Sequence, residues 1–341
     1  MPKKLSKPLR FILFFANRST TPSATVILDA QTTNPGDLSW EWLKEYGELE
    51  IYPRTPKELI AKRCESADIV ITNKTPLEKS DLEKMPSLKF VAVLATGYNV
   101  VDTAYLKERG IPVSNIPSYS TQAVAQLVFA HITEHYNAVA LHSQDVKNGG
   151  WSNCPDFCYQ LTSLTELYGK TIGIIGFGKI GQAVADIAEA YKMNILAVSG
   201  HETDQSGRKN FKWATLDELA RESDIISLHC PLTKETENLI NADFLSKMKQ
   251  NAILINTARG AAVDEQALAD ALNSDRIAGA GVDVLSTEPP KADNPLLSAK
   301  NCTITPHIAW AAYETRERLM GILKNNIKAF FDGNPINVVN K

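Results

Sequence analysis

The sequence predicts an α/β protein built from two parallel-sheet domains, and three observations predict it. At 341 residues the chain is long for one domain and sufficient for two separate cores. Short apolar runs alternate with amphipathic stretches, as parallel strands joined by helices require. That alternation stops after residue 115 and restarts at 171, so two sheets are expected.

The first set of strands is TVIL (25–28), ELEIY (48–52), DIVITN (68–73), KFVAVLAT (89–96) and IPVSN (111–115). Between them LSWEWLKEYG, PKELIAKRCESA, SDLEKM and VDTAYLKERG carry Leu, Trp or Ile at helical spacing, with Gly or Pro near their ends. After the break at IPSYS, the stretch TQAVAQLVFAHITEHYNAVALHS reads as one long helix. Its first half is apolar on more than one face, so it must be buried between elements or between subunits. The segment NGGWSNCPDFCYQ reads as a loop. Six strands follow: TIGII (171–175), NILAVS (194–199), DIISLHC (224–230), AILINTA (252–258), IAGAGVDV (277–284) and CTITP (302–306). The closing stretch AAYETRERLMGILKNNIKAFFDG is an amphipathic helix with Gly333 as its stop signal.

Composition excludes several classes of function. The formal net charge is only -3 and 44% of residues are hydrophobic, so nothing attracts nucleic acid or an anionic membrane. A small molecule is the expected partner. The five cysteines are odd in number and scattered, which suits free thiols in the reducing cytoplasm. Lys3, Lys4, Lys7 and Arg10 precede FILFFA, the outline of a signal peptide, but six apolar residues fall short of a hydrophobic region. Residues 1–24 therefore read as an extension. HITEH, with His131, Glu134 and His135, has the spacing of a zinc helix, yet no third ligand is identifiable and no metal is expected.

The motif GFGKIG (Gly176, Phe177, Gly178, Lys179, Ile180, Gly181) follows an apolar strand and opens an amphipathic helix, which makes it a dinucleotide fingerprint. Its first glycine permits the tight turn, its second admits the pyrophosphate, and its third lets helix and strand pack closely. Six strands are the number a full dinucleotide-binding fold needs, so a Rossmann-like domain is expected here. A carboxylate for the adenosine ribose belongs near position 199, and Ser199 stands there in ILAVSGHE. Without that acid the 2′-phosphate of NADP meets no repulsion. Ser199, Gly200 and His201 leave room for it, Arg208 or Lys209 is within sequence reach, and Glu202 is the competing ribose ligand. NAD(H) or NADP(H) is expected, with NADP tolerated.

Three further stretches end strands, where ligands of open α/β sheets bind. NTARG supplies Arg259, whose guanidinium can clamp a carboxylate bidentately. STEPP supplies Glu288 and TPHIAW supplies His307, and a carboxylate beside an imidazole orients it and favours its protonated form. Together they can hold a 2-oxo acid and protonate its oxygen while a nicotinamide delivers hydride.

From about residue 25 to the C-terminus the chain resembles the D-2-hydroxyacid dehydrogenase family. LATGYNVVD (94–102), GFGKIG, HCPLTKET (229–236), INTARG, GAGVDVLSTEPP (279–290) and TPHIAW carry the resemblance. It implies two Rossmann-like or flavodoxin-like parallel-sheet domains with a cleft between them: a discontinuous substrate domain, residues 1–118 with 310–341, and a dinucleotide-binding domain, residues 119–309. It also implies that Arg259 binds substrate, that Glu288 tunes the acid/base His307, and that Asp283 contacts the nicotinamide carboxamide. Cys230, Pro231, Thr236, Thr257 and Ala258 join the cofactor set, and Thr96, Gly97 and Tyr98 hold the substrate carboxylate. Trp310 is placed to limit the substrate side group, and a homodimer is implied. Within the family LSWEWL, ATGYNVVD, VAQLVFAH, HCPLT and HIAW are most similar to glycerate dehydrogenases, which are hydroxypyruvate and glyoxylate reductases. Another dehydrogenase of the family, acting on D-lactate or D-phosphoglycerate, is the alternative, followed by a co-repressor-like scaffold that binds NADH without turnover.

Overall fold

The structure, a computed structural model, describes residues 23–341. The signal-peptide outline at FILFFA lies outside the described residues. The chain folds as two compact units, one running to Tyr119 and resuming over Tyr313–Lys341, the other Ser120–Ala312.

In the first unit β1 (Ser23–Ile27), β2 (Gly47–Ile51), β3 (Ile69–Thr72), β4 (Phe90–Val93) and β5 (Val113–Ser114) form one sheet. Its order is β2-β1-β3-β4-β5 and every pairing is parallel, the doubly wound arrangement of a flavodoxin-like domain. Alternate residues serve opposite faces. Val26, Val70, Val91 and Val93 pack on one side, and Ile27, Ile69, Ile71, Phe90 and Ala92 on the other. Burial on both faces explains why these strands read as unbroken apolar runs. Short helices connect them, α1 (Ile60–Cys64), α2 (Lys79–Leu82) and α3 (Thr103–Glu108), and LSWEWLKEYG forms a 3-10 helix over Glu41–Tyr46.

The second unit opens with α4 (Thr121–Asn137) and α5 (Val139–Lys147), not with one long helix. Ala138 adopts a left-handed conformation, φ 43, and breaks the run. Alanine favours helices, so no local signal announces this break. Residues 148–170 hold no helix or strand, as NGGWSNCPDFCYQ suggested.

The second sheet has seven strands, one more than expected: β6 (Thr171–Ile175), β7 (Asn194–Val198), β8 (Phe211–Trp213), β9 (Ile225–Leu228), β10 (Ile253–Asn256), β11 (Gly279–Val282) and β12 (Cys302–Ile304). The unforeseen β8 is a three-residue edge strand, too short to display a period. Strand order is β12-β11-β10-β9-β6-β7-β8, all parallel, so the direction of winding reverses between β6 and β9. Crossings are made by α6 (Lys179–Ala190), α7 (Leu216–Glu222), α8 (Ala242–Lys247) and α9 (Glu265–Asn273). The chain then returns to the first unit through α10 (Tyr313–Phe331), whose Leu319, Leu323 and Ile327 join Ile27, Ile71 and Phe90 in the core. Arg316 on α10 grips Asp37 with two bonds of 2.6 and 2.7 Å. Among the described residues no helix is long and apolar enough to cross a membrane.

Burial pushes the imidazoles of His131 and His135 below the ordinary value, and that of His229 down to about 3. Each therefore binds a proton less readily in the fold than in the unfolded chain, where the unperturbed value is 6.5. Stability is therefore full above pH 6.5 and lost as pH falls toward the depressed folded values, by up to about 1.4 kcal/mol per pH unit per histidine. Urea unfolding at pH 7.5 and 5.5 measures this loss. The slope should flatten in His135→Gln, and an unchanged slope in that variant contradicts the assignment.

Candidate active site

The candidate site residues of the second unit stand on loops leaving the carboxyl ends of β6, β7, β9, β10, β11 and β12. All strands are parallel, so these ends share one edge, and the β6/β9 reversal opens the crevice where such sheets bind ligands.

Gly176 leaves β6 with φ 93, a conformation that glycine adopts without strain. A Cβ there would lie 2.5 Å from the backbone nitrogen of Cys230, so the glycine also lets the β9 loop close in. Gly178 caps α6 and faces open space, with no atom within 4 Å of a Cβ built on it. A side chain at Gly178 would fill the space in front of the helix, where the first-turn N–H groups lack intrahelical partners. At the end of β10 the hydroxyl of Thr257 is buried and has no partner. An open cradle at a helix N-terminus, with an unsatisfied hydroxyl on the same sheet edge, fits a dinucleotide. Across the β9 loop the Thr236 hydroxyl donates to the Pro231 carbonyl at 2.7 Å, fixing the HCPLTKET turn.

Ser199 follows β7, and its Oγ accepts from the His201 backbone at 3.3 Å. Arg208 is less available than its sequence position suggests. Its guanidinium lies 2.5 Å from Asp186 and 2.7 Å from Glu189, both on α6, and its side chain is only 13% exposed.

Arg259 is exposed just past β10, and one of its five N–H donors is used on the Ala258 carbonyl at 2.7 Å. Its loop is held by Asn256, which donates to the Arg259 carbonyl at 2.9 Å and accepts from the Ala258 nitrogen at 3.0 Å. Gly260 then packs against Leu285 and Ser286 so closely that any side chain would clash, which brings the β10 and β11 loops together. In the β11 loop Glu288 Oε1 accepts from the Leu285 nitrogen at 3.0 Å, and Oε2 lies 2.6 Å from His307 Nδ1. That pairing places the Nδ1 proton between the two groups and leaves Nε2 to face a substrate. Buried Asp283 accepts from Thr305, Ile308 and Ala309 at 2.6, 2.8 and 2.9 Å.

Thr96, Gly97 and Tyr98 belong to the first unit, in the loop after β4. There the Thr96 hydroxyl donates to the Ile116 carbonyl at 2.8 Å, and Tyr98 is exposed. Trp310 is half-buried in the turn after His307.

Residues 129–309 match the family model described as the D-isomer specific 2-hydroxyacid dehydrogenase NAD binding domain. The chain belongs to the D-isomer specific 2-hydroxyacid dehydrogenase family. This dehydrogenase is 50% identical to a hydroxypyruvate reductase of Blautia hydrogenotrophica over 319 residues, which cover 93% of this chain and 99% of that protein. It is 40% identical to a glycerate dehydrogenase of Methylorubrum extorquens, with 92% and 98% of the two chains covered. An NADPH-dependent glyoxylate/hydroxypyruvate reductase of Sinorhizobium meliloti, solved with NADP and malonate, superposes with a TM-score of 0.77 at 29% identity, covering 94% and 97%. The chain is thus an NAD(P)-dependent oxidoreductase with a dinucleotide-binding Rossmann-like unit.

Two residues that hold the loops of the candidate site escaped the sequence reading. Asn256 is visible afterwards as the polar end of an otherwise apolar strand, and Thr305 as the neighbour of Pro306 and His307. His131 carried a signal, but it pointed to zinc. Its ring lies beside Thr303 and Thr305, and no group of three or more potential metal ligands occurs among the described residues.

Proposed function

We propose that the chain reduces hydroxypyruvate, and glyoxylate as a second substrate, with NADH or NADPH, and oxidises D-glycerate in reverse. The observation that carries this reading is the 2.6 Å pair of His307 and Glu288 at the sheet edge that also bears the glycine cradle. The substrate class rests on likeness to the hydroxypyruvate reductase and glycerate dehydrogenase relatives.

When bound, the cofactor supplies a hydride for the carbonyl carbon. Gly176, Phe177, Gly178, Lys179, Ile180 and Gly181 would hold its pyrophosphate, with Cys230, Pro231, Thr236, Thr257, Ala258 and Asp283 around the nicotinamide half. His307 Nε2 gives its proton to the carbonyl oxygen, while Glu288 stays bonded at Nδ1 and balances the charge. Arg259 takes the substrate carboxylate through its remaining donors. Thr96, Gly97 and Tyr98 are proposed as a second carboxylate-binding loop, and Trp310 as the wall beside the substrate side group. In this reading residues 1–118 with 310–341 are the substrate domain and 119–309 the dinucleotide domain.

Val139, Leu141, Trp151 and Phe157 expose an apolar surface on α5 and the loop after it, which supports a homodimer. Five free cysteines support a cytoplasmic setting, and burial pushes Cys64 and Cys302 up to about 12, so these thiols stay unreactive.

Initial rates with hydroxypyruvate, glyoxylate, pyruvate and 3-phosphohydroxypyruvate test the substrate assignment, which fails if hydroxypyruvate is not preferred over pyruvate. Cofactor choice is tested at Ser199. Ser199→Asp should lower kcat/KM for NADPH relative to NADH by about tenfold or more, because a carboxylate repels the 2′-phosphate. An unchanged ratio removes position 199 from cofactor selection.

A further inference from the structure

His131 stands outside the mechanism just described, yet it is buried and bonded through both ring nitrogens. Nδ1 lies 3.0 Å from the Thr303 hydroxyl and Nε2 lies 3.2 Å from the Thr305 hydroxyl. The approach depends on β11, where a Cβ at Gly281 would come within 2.7 Å of the His131 Cβ.

Hydrogen-bond chemistry gives this chain one direction. Asp283 lies within reach of three donors, and its carboxylate only accepts. The Thr305 hydroxyl therefore sends its proton to Asp283 Oδ1 at 2.6 Å, and its oxygen must accept from His131 Nε2–H. Nδ1 is then bare and accepts from the Thr303 hydroxyl at 3.0 Å, a nearer acceptor for that proton than the Ala280 carbonyl at 3.4 Å. Such a scheme requires a neutral imidazole, and burial keeps His131 neutral against the weaker opposing pull of Asp283.

The receiving end of the chain is the loop of the acid/base histidine. Ile308 and Ala309 donate their N–H groups to the Asp283 carboxylate, and the His307 N–H donates to the Asp283 carbonyl at 2.8 Å. Three successive residues are thus tied to Asp283. His307 itself has φ 53, a left-handed conformation uncommon for residues with side chains. Aligned donors strengthen one another in a dry environment, so a chain that fixes the Thr305 proton also firms the Asp283 clamp.

We propose that His131 is a positioning residue for the reduction: it aims the Thr305 hydroxyl at Asp283 and so fixes the loop that presents His307. The inference rests on the acid/base role given to His307 under the proposed function. Two independent readouts separate its failure from failure of that role.

The first readout is kcat for hydroxypyruvate at saturating NADH, in wild type, His131→Leu, His131→Gln, Thr305→Val and the Leu/Val double variant. His131→Leu should lower kcat about tenfold, the scale of a sub-ångström misplacement, with the NADH Kd within about twofold of wild type. His131→Gln, which keeps an N–H donor near the Nε2 position, should recover most of the rate. In the Thr305→Val background His131→Leu should cost nothing further. The second readout is amide hydrogen exchange at Ile308 and Ala309, which needs no substrate. It should quicken about tenfold in His131→Leu and return in His131→Gln, with Thr305→Val giving the same quickening if the leucine variant folds poorly. Wild-type kcat and wild-type exchange in His131→Leu overturn the proposal, as do losses that multiply in the double variant. If wild type binds NADH but turns over no 2-oxo acid, the functional reading falls, and the exchange data still decide whether His131 holds the loop.

Discussion

Replacing His307 by Asn is expected to lower kcat for hydroxypyruvate reduction by about 10²–10⁴-fold, the range lost with a positioned general acid. The geometry makes the loss specific. His307 Nδ1 is committed to Glu288 at 2.6 Å, so Nε2 is the ring atom left to meet the carbonyl oxygen, and an Asn side chain has no atom there. NADH affinity should stay within a few-fold of wild type, because the glycine cradle and α6 do not depend on the imidazole. Glu288→Gln should cost less, about ten- to a hundredfold, since Gln can accept at Nδ1–H but carries no charge to balance the imidazolium. Stopped-flow rates with matched NADH titrations check both variants. A His307→Asn enzyme within threefold of wild type would remove His307 from the chemistry.

The second large effect is expected at Arg259. Arg259→Ala should raise KM for hydroxypyruvate about ten- to a hundredfold, the equivalent of one charged hydrogen-bonded contact of about 1.5–3 kcal/mol. Arg259→Lys should restore only part of that, because an ammonium cannot make the planar two-bond contact with a carboxylate. Melting temperature should hardly move. The side chain is exposed, its one loop bond goes to the adjacent Ala258 carbonyl, and the loop is anchored through the Arg259 backbone by Asn256. A rise in KM accompanied by a large loss of stability would point to a structural role.

The cradle and the His307, Glu288 and Arg259 positions were legible in the sequence because each sits within a few residues of a strand end. Strand ends are written locally, as apolar runs closed by polar or small residues. The central strands of both sheets were legible for the same reason, being buried on both faces. What escaped depends on partners far away in the chain. Thr303 and Thr305 lie 172 and 174 residues from His131, and no local pattern marks that meeting. Arg208 read as a residue able to reach a 2′-phosphate because its partners, Asp186 and Glu189, are on another element. The break at Ala138 escaped for a different reason: a helix former, not the glycine or asparagine that ordinarily marks a helix end, holds the left-handed position.

Transfer of label from deuterated NADH tests the central claim most directly. Hydroxypyruvate would be reduced with each 4-deuterated stereoisomer of NADH in turn, and the product resolved by chiral chromatography and mass. The account predicts D-glycerate carrying one deuterium at C2 from one stereoisomer and none from the other, with no labelled product from His307→Asn on the same timescale. L-glycerate, or cofactor binding without any labelled 2-hydroxy acid, would contradict it.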